Sequence, residues 1–388
     1  MNPLEGVESG EKRLFQISAD RHVPVNGSIE VSPLCNLNCD MCYVRLSREE
    51  MEAQGRLRTA EEWLRIAGEM KEAGVLFLLL TGGEPLLYPD FKELYLGLRK
   101  MGFILTINTN GTMLDEEWAD FFRENPPRRF NVTLYGIDEH AYRTLCHFPG
   151  GFEHTMRAIR LLKERELPLK LNYSLTRINA PELDAFMDLS HELELHCTID
   201  PYMIPATRER PRPYNFDARV SPETAAYYSH EIHRRHYGEH DIFLDYCTQK
   251  IAVVDAAKKY YTEHPEEKRA ERSGCLAGRC SFALNWQGEI RPCVILRSPA
   301  VNVFEQGFVS GWRQIVSGME TLLINEDCSV CPRRTLCDIC PAAALYETGA
   351  YDGKPDYLCR YTAELERLMR AELAAADGER AQEGSPGL

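Results

Sequence analysis

From about Gly27 to Tyr202 short apolar runs alternate with stretches whose apolar residues recur every three or four positions. The short runs predict strands at Ser28–Val31, Val75–Leu80, Ile104–Asn108, Phe130–Leu134, Leu169–Leu175 and Cys197–Tyr202. The segments at 59–74, 90–102 and 152–166 carry the helical period, with an apolar stripe to set against a sheet. Strand and helix in alternation predict repeated βα units around a parallel sheet, and six of them make an α/β fold, a partial barrel. In such folds chemistry collects at the carboxyl ends of the strands.

The pattern changes at 204–273, which is rich in Pro, Tyr and His and holds a helical stretch at 222–237. This segment is expected to be a helical connector packed on the barrel. A cysteine-dense unit follows at 274–362, then a helix from Ala363 to Ala375 and a polar tail expected to be disordered, together 363–388. Residues 1–26 form an N-terminal extension and 27–203 the barrel.

Charge and composition then narrow the function classes. A formal charge of −14 disfavours a broad phosphate-binding surface, so nucleic acid is not an expected partner, although the basic cluster at 208–212 offers a local site for an acidic group. The amino terminus lacks the apolar core of an export signal, and the Val75–Leu80 run is too short to span a bilayer. A soluble cytoplasmic protein without membrane contact is expected. Fourteen cysteines in such a chain read as metal ligands before disulfides, and they are clustered: three at 35–42, three at 275–293 and five at 328–359.

Cys35, Cys39 and Cys42 form a CxxxCxxC triad in the loop after the first strand. Three thiolates can hold three irons of a 4Fe-4S cubane and leave the fourth iron open; zinc is the alternative for three cysteines alone. One βα unit later the chain reads Thr81-Gly82-Gly83-Glu84-Pro85, where glycines admit close backbone approach and Glu84 offers an acceptor for an ammonium group. The third strand ends in Asn108-Thr109-Asn110-Gly111, amides suited to a ribose or to an ordinary turn.

Triad, GGEP and TNG in this order resemble the radical S-adenosylmethionine superfamily over about the first 200 residues. The resemblance implies a TIM-like (β/α)6 partial barrel, S-adenosylmethionine as cosubstrate and Tyr43 against the adenine. It implies Gly82, Gly83 and Glu84 at the methionine amino group, with Asn108 and Thr133 as ribose or carboxylate contacts. Hydrogen abstraction by a 5′-deoxyadenosyl radical is the implied chemistry, in an anaerobic setting with a flavodoxin- or ferredoxin-type electron donor.

The later cysteines run Cys275-x4-Cys280-x12-Cys293, then Cys328-x2-Cys331-x5-Cys337-x2-Cys340-x18-Cys359. In isolation their paired knuckles read as structural zinc. Beside the triad they resemble the SPASM extension of peptide-modifying radical enzymes, a C-terminal cysteine-rich iron-sulfur domain. That resemblance implies two auxiliary 4Fe-4S clusters, three in all, with Cys275, Cys280, Cys293 and Cys340 on one and Cys328, Cys331, Cys337 and Cys359 on the other. Two residues separate Cys337 from Cys340 where the family has three.

A peptide or protein substrate is implied, and a thioether or carbon–carbon cross-link in a ribosomally made peptide is the favoured product. Anaerobic sulfatase maturases resemble one another in an Asp after the cysteine matching Cys293; Val294 stands here and argues against that route. Small-molecule dehydrogenation and a non-catalytic iron-sulfur electron carrier are the alternatives, the last opposed by GGEP and TNG. The 34 residues before Cys35 are too few for a winged-helix module, so leader recognition is expected from a separate small protein or from 204–273. No catalytic acid, base or radical-quenching residue is assigned. Cys146, Cys197 and Cys247 are expected to be inert core thiols, Tyr135 to pack at the cavity, and His230, His233, His236 and His240 to lie on a solvated helix.

Overall fold

A computed structural model describes residues 3–205 and 218–383, so the basic cluster at 208–212 lies outside the described residues. All six expected strands form: β1 (Asn26–Glu30), β2 (Phe77–Thr81), β3 (Ile104–Thr109), β4 (Arg129–Thr133), β5 (Leu169–Ser174) and β6 (Cys197–Asp200). Each pairs in parallel with the next, in the order β1-β2-β3-β4-β5-β6.

The covering helices follow from their sequences. Ala60–Glu72 starts at a capping box in which Thr59 accepts from the Glu62 amide and Glu62 accepts from the Thr59 amide. Its stripe of Trp63, Ile66, Ala67 and Met70 is fully buried on the sheet. Phe91–Met101 and Gly151–Glu164 bury Leu94, Tyr95 and Leu98, and Ile159, Leu161 and Leu162, in the same way.

After β7 (Glu271–Arg272), strands β8 (Ser281–Leu284), β9 (Glu289–Arg291) and β10 (Val301–Asn302) join the same sheet, whereas β11 (Leu323–Ile324) pairs with β7 alone. β8 lies parallel to β1, with Asn26 opposite Ser281, so the cysteine-dense segment continues the barrel sheet to nine strands. Gly27 permits this junction: a Cβ there would stand 2.2 Å from the Phe282 ring. The spacing of the cysteines carries no trace of that pairing.

Two termini differ from expectation. Pro3–Asp20 is a helix, and Phe15 stacks on Phe77 at 5.9 Å while Ala19 joins Val25 and Cys280 in a small core. Only the second half of this helix has apolar spacing, which hid it. At the other end one helix runs Asp356–Glu383, through most of the tail expected to be disordered, because Ala and Glu extend a helix already docked by Tyr361 on Ser229. In the connector, Pro222–Tyr237 forms as expected, but it is not solvated throughout: His230 is buried against Phe243, and His233 bonds the Ser229 carbonyl.

Candidate functional site: the cysteine loop and the strand ends

The triad lies in the loop that leaves β1, and the loop is held from three sides. The Asn38 and Asp40 amides donate to the carbonyls of Cys146 and Leu145, beyond β4, and His147 Nε2 meets Asp40 Oδ1 at 2.8 Å. From β2, the Gly83 amide donates to Ser32 O at 2.7 Å and the Glu84 amide to Leu34 O at 2.9 Å. A Cβ at Gly82 or Gly83 would stand 2.3 Å from the carbonyl oxygen of Ser32 or Leu34, so the glycine pair is what lets the two loops touch. From β3, Asn110 Nδ2 lies 3.6 Å from Cys35 Sγ and 3.1 Å from Asn36 Oδ1, and Asn36 in turn donates to Thr112 Oγ1 at 2.7 Å.

Glu84 bridges two strand ends. Its carboxylate is fully buried and already accepts from Thr109 Oγ1 at 2.8 Å, the Asn110 amide at 2.9 Å and the Leu86 amide at 3.2 Å. It ties β2 to β3 behind the cysteine loop. Burial raises its pKa to about 7 against the three hydrogen bonds that favour the anion.

Asn108 and Thr133 lie one pleat apart on the inner face. Asn108 Oδ1 accepts from Asn131 Nδ2 at 2.6 Å, and Thr133 stands opposite Asn172 on β5. Tyr43 is half-buried, packed on the core beside the triad. Asn110, Asn36 and Thr112 are contacts that strand-end reasoning passed over in favour of Asn108, although Asn110 and Thr112 stand in the same TNGT string.

The thiols are strongly held as thiols. Burial, then the Glu84 carboxylate, push Cys35 far up, while Cys39 is raised by the Cys146 thiol and by burial. Cys146 and Tyr135, expected as ordinary packing residues, therefore adjoin the triad, and the Tyr135 hydroxyl hydrogen-bonds Cys39. Buried thiols raised in this way are the environment that cationic iron reverses by binding thiolate. The donor set thus fits an iron-sulfur cluster. Among the described residues no three Cys, His, Asp or Glu side chains converge as ligands of one metal ion, and a cubane asks instead for thiolates spread over its corners.

The C-terminal cysteines fall into two neighbourhoods. Cys337 is pushed to about 12 by burial and then by Cys331, Cys328 and Cys359. Cys340 is raised by burial and feels Cys293 and Cys275, while the Ala343 and Ala342 amides at the start of the helix Pro341–Thr348 stabilise its anion. Cys280 is raised by burial and by Cys275. Chain order would have set Cys340 with Cys337, its neighbour in the second knuckle.

No helix among the described residues is long and apolar enough to cross a membrane. Residues 29–189 match the model of the Radical SAM superfamily. AdoMet-dependent heme synthase of Methanosarcina barkeri is 26% identical over 352 residues, covering 86% of this chain and 95% of that protein. PqqA peptide cyclase of Granulibacter bethesdensis is 29% identical over 170 residues, covering 44% of this chain and 45% of that protein. Among solved structures, Streptococcus suis SuiB bound to precursor peptide SuiA aligns with 92% of this chain and 81% of that one, at a TM-score of 0.63 and 18% identity, a likeness of fold.

Proposed function

We propose, from the premise that residues 29–189 belong to the Radical SAM superfamily, that this enzyme abstracts hydrogen from a peptide and leaves a thioether or carbon–carbon cross-link in it. The observation that carries the peptide assignment is the sorting of eight C-terminal cysteines into two neighbourhoods of four beside one barrel. The fold shared with SuiB, bound to its precursor peptide, and the relation to PqqA peptide cyclase support it.

When bound at Cys35, Cys39 and Cys42, a cluster with one open iron supplies the electron that cleaves S-adenosylmethionine to methionine and a 5′-deoxyadenosyl radical. The chain's own residues do the holding. Asn110 and Asn36 fix Cys35, Gly82, Gly83 and Glu84 would meet the amino group, and Asn108, Thr133 and Tyr43 would serve ribose, carboxylate and adenine. A cross-link removes two hydrogens from the substrate: one leaves as an atom, the other as a proton and an electron. Cys275, Cys280, Cys293 and Cys340, with Cys328, Cys331, Cys337 and Cys359, would hold two closed clusters able to take that electron. A flavodoxin- or ferredoxin-type donor and a separate leader-binding protein complete the proposal, in an anaerobic cytoplasm.

A second assignment, to a heme precursor, is favoured by one observation: the heme synthase relative is matched over 95% of its length. The test uses the fully reconstituted protein under reduction. Formation of 5′-deoxyadenosine with a candidate peptide that loses two hydrogens by mass supports the proposal. Turnover of a heme precursor with the peptide unchanged moves the assignment to the second substrate, and absence of 5′-deoxyadenosine overturns both.

A further inference from the structure

The inner face of the barrel carries two cations that no carboxylate among the described residues pairs with. On β4, Phe130 and Val132 are fully buried against the helices, and on β5 so is Leu171, which leaves Arg129, Asn131 and Lys170 on the opposite face. The register sets Asn131 directly across from Lys170.

Their partners are neutral. Arg129 Nε donates to Asn131 Oδ1 at 3.1 Å, and Lys170 Nζ to Thr198 Oγ1 at 2.9 Å. Two carboxylates lie within electrostatic reach without forming an ion pair: Glu11, which is taken by Arg128, and Asp200 on β6. Burial lowers the pKa of both cations, and Arg129 lowers that of Lys170 further.

The space beside Arg129 is open. A cavity of about 360 Å³ is lined by Ser28, Thr106, Arg129 and Asn131 together with Cys293 and Val294 of the cysteine-dense segment. Two half-buried like charges without a counter-ion are costly in any protein. In a chain of formal charge −14, where surface cations are amply paired, they mark a place for an incoming anion.

We propose that Arg129 and Lys170 hold a carboxylate of the substrate, so that the peptide carries an acidic residue near the position to be modified. This rests on the peptide assignment made above. The guanidinium fork matches a carboxylate in two parallel hydrogen bonds, and the ammonium adds a point charge. Arg129 opens β4 and Thr133 closes it, about 13 Å apart at roughly 3.3 Å per residue. A carboxylate anchored at that depth brings a carbon about three to four residues away in an extended peptide to the level of the strand ends, where the triad lies.

The test uses the reconstituted protein saturated with S-adenosylmethionine and two probes, acetyl-Gly-Glu-Gly-amide and its Gln counterpart, titrated by ligand-observed NMR. The Glu tripeptide is expected to bind about tenfold more tightly than the Gln tripeptide. Arg129→Gln and Lys170→Gln are each expected to remove most of that preference, and Arg129→Lys to restore part of it. Equal binding of the two tripeptides by the unaltered protein, or binding of neither, overturns the proposal, and neither result depends on how a variant folds. Saturation with S-adenosylmethionine ensures that a pair occupied by its own carboxylate shows as loss of the preference. Release of 5′-deoxyadenosine by the unaltered protein without any tripeptide is measured separately; its absence removes the radical assignment, not the anion site.

Discussion

The triad at 35–42 and the cysteines at 275–359 hold thiols by opposite means. The first three sit within one loop, and the barrel closes around that loop with backbone hydrogen bonds from β2, the Asn110 amide from β3 and the carbonyls of Leu145 and Cys146. The later eight come from separated segments, and Cys340, at the start of the helix Pro341–Thr348, feels Cys293 and Cys275. The first site is set by local sequence on a rigid sheet. The second draws on separated segments, which teaches that spacing identifies a ligand set when one loop holds it and leaves the sorting open when the chain returns to complete it.

The largest expected effect breaks the comparison at its root. Cys39→Ala should abolish 5′-deoxyadenosine formation and lower bound iron from about twelve to about eight per chain. Cys340→Ala should lower iron by the same amount yet keep cleavage of S-adenosylmethionine measurable, since the hydrogen bonds that hold the triad loop come from β2, from Asn110 after β3 and from the carbonyls of Leu145 and Cys146. Iron analysis and product chromatography on both variants check this, and loss of cleavage in Cys340→Ala would show that the two regions are one unit.

A smaller effect tests the packing that holds the first loop. Gly83→Ala places a methyl group 2.3 Å from the Leu34 carbonyl oxygen. It should destabilise the iron-free protein by about 1–3 kcal/mol in urea unfolding. It should also weaken iron retention at the triad while leaving about eight irons on the later cysteines.

The smallest effect is a control on the same half of the molecule, away from the cysteines. Glu62 caps the helix Ala60–Glu72 and is held near a pKa of about 2, first by its hydrogen bond from Arg56. A carboxyl whose folded pKa lies below its unfolded value of about 4.3 stabilises above that value and loses the contribution as pH falls toward 2. Arg56 is exposed and Glu62 half-buried, so Glu62→Gln should cost about 1 kcal/mol or less at pH 7, and the difference should vanish by about pH 2. Cluster loading should not change.

How far the sequence could be read follows from the same contrast. Periodicity located six strands because Phe130, Val132, Leu171 and their like must meet helices, and every second residue does so. It was silent on β8 to β10, which are short and join a strand some 250 residues earlier in the chain. The triad and GGEP were legible as strings. That Glu84 would spend its carboxylate on Thr109 and Asn110 was not, because a buried acceptor and a ligand contact use the same residue type.

By itself, the sequence determined the βα alternation, the cysteine triad and its two supporting loops, all features written within a few dozen consecutive residues. Tertiary structure alone decided that Asn110 and not Asn108 reaches Cys35, and that Arg129 and Lys170 share the inner face without a paired carboxylate among the described residues; the sorting of the later cysteines, open on spacing, was implied by the family resemblance. The physical reason is that local pattern reports which face a residue takes, whereas partners across strands depend on a register that only the closed sheet fixes.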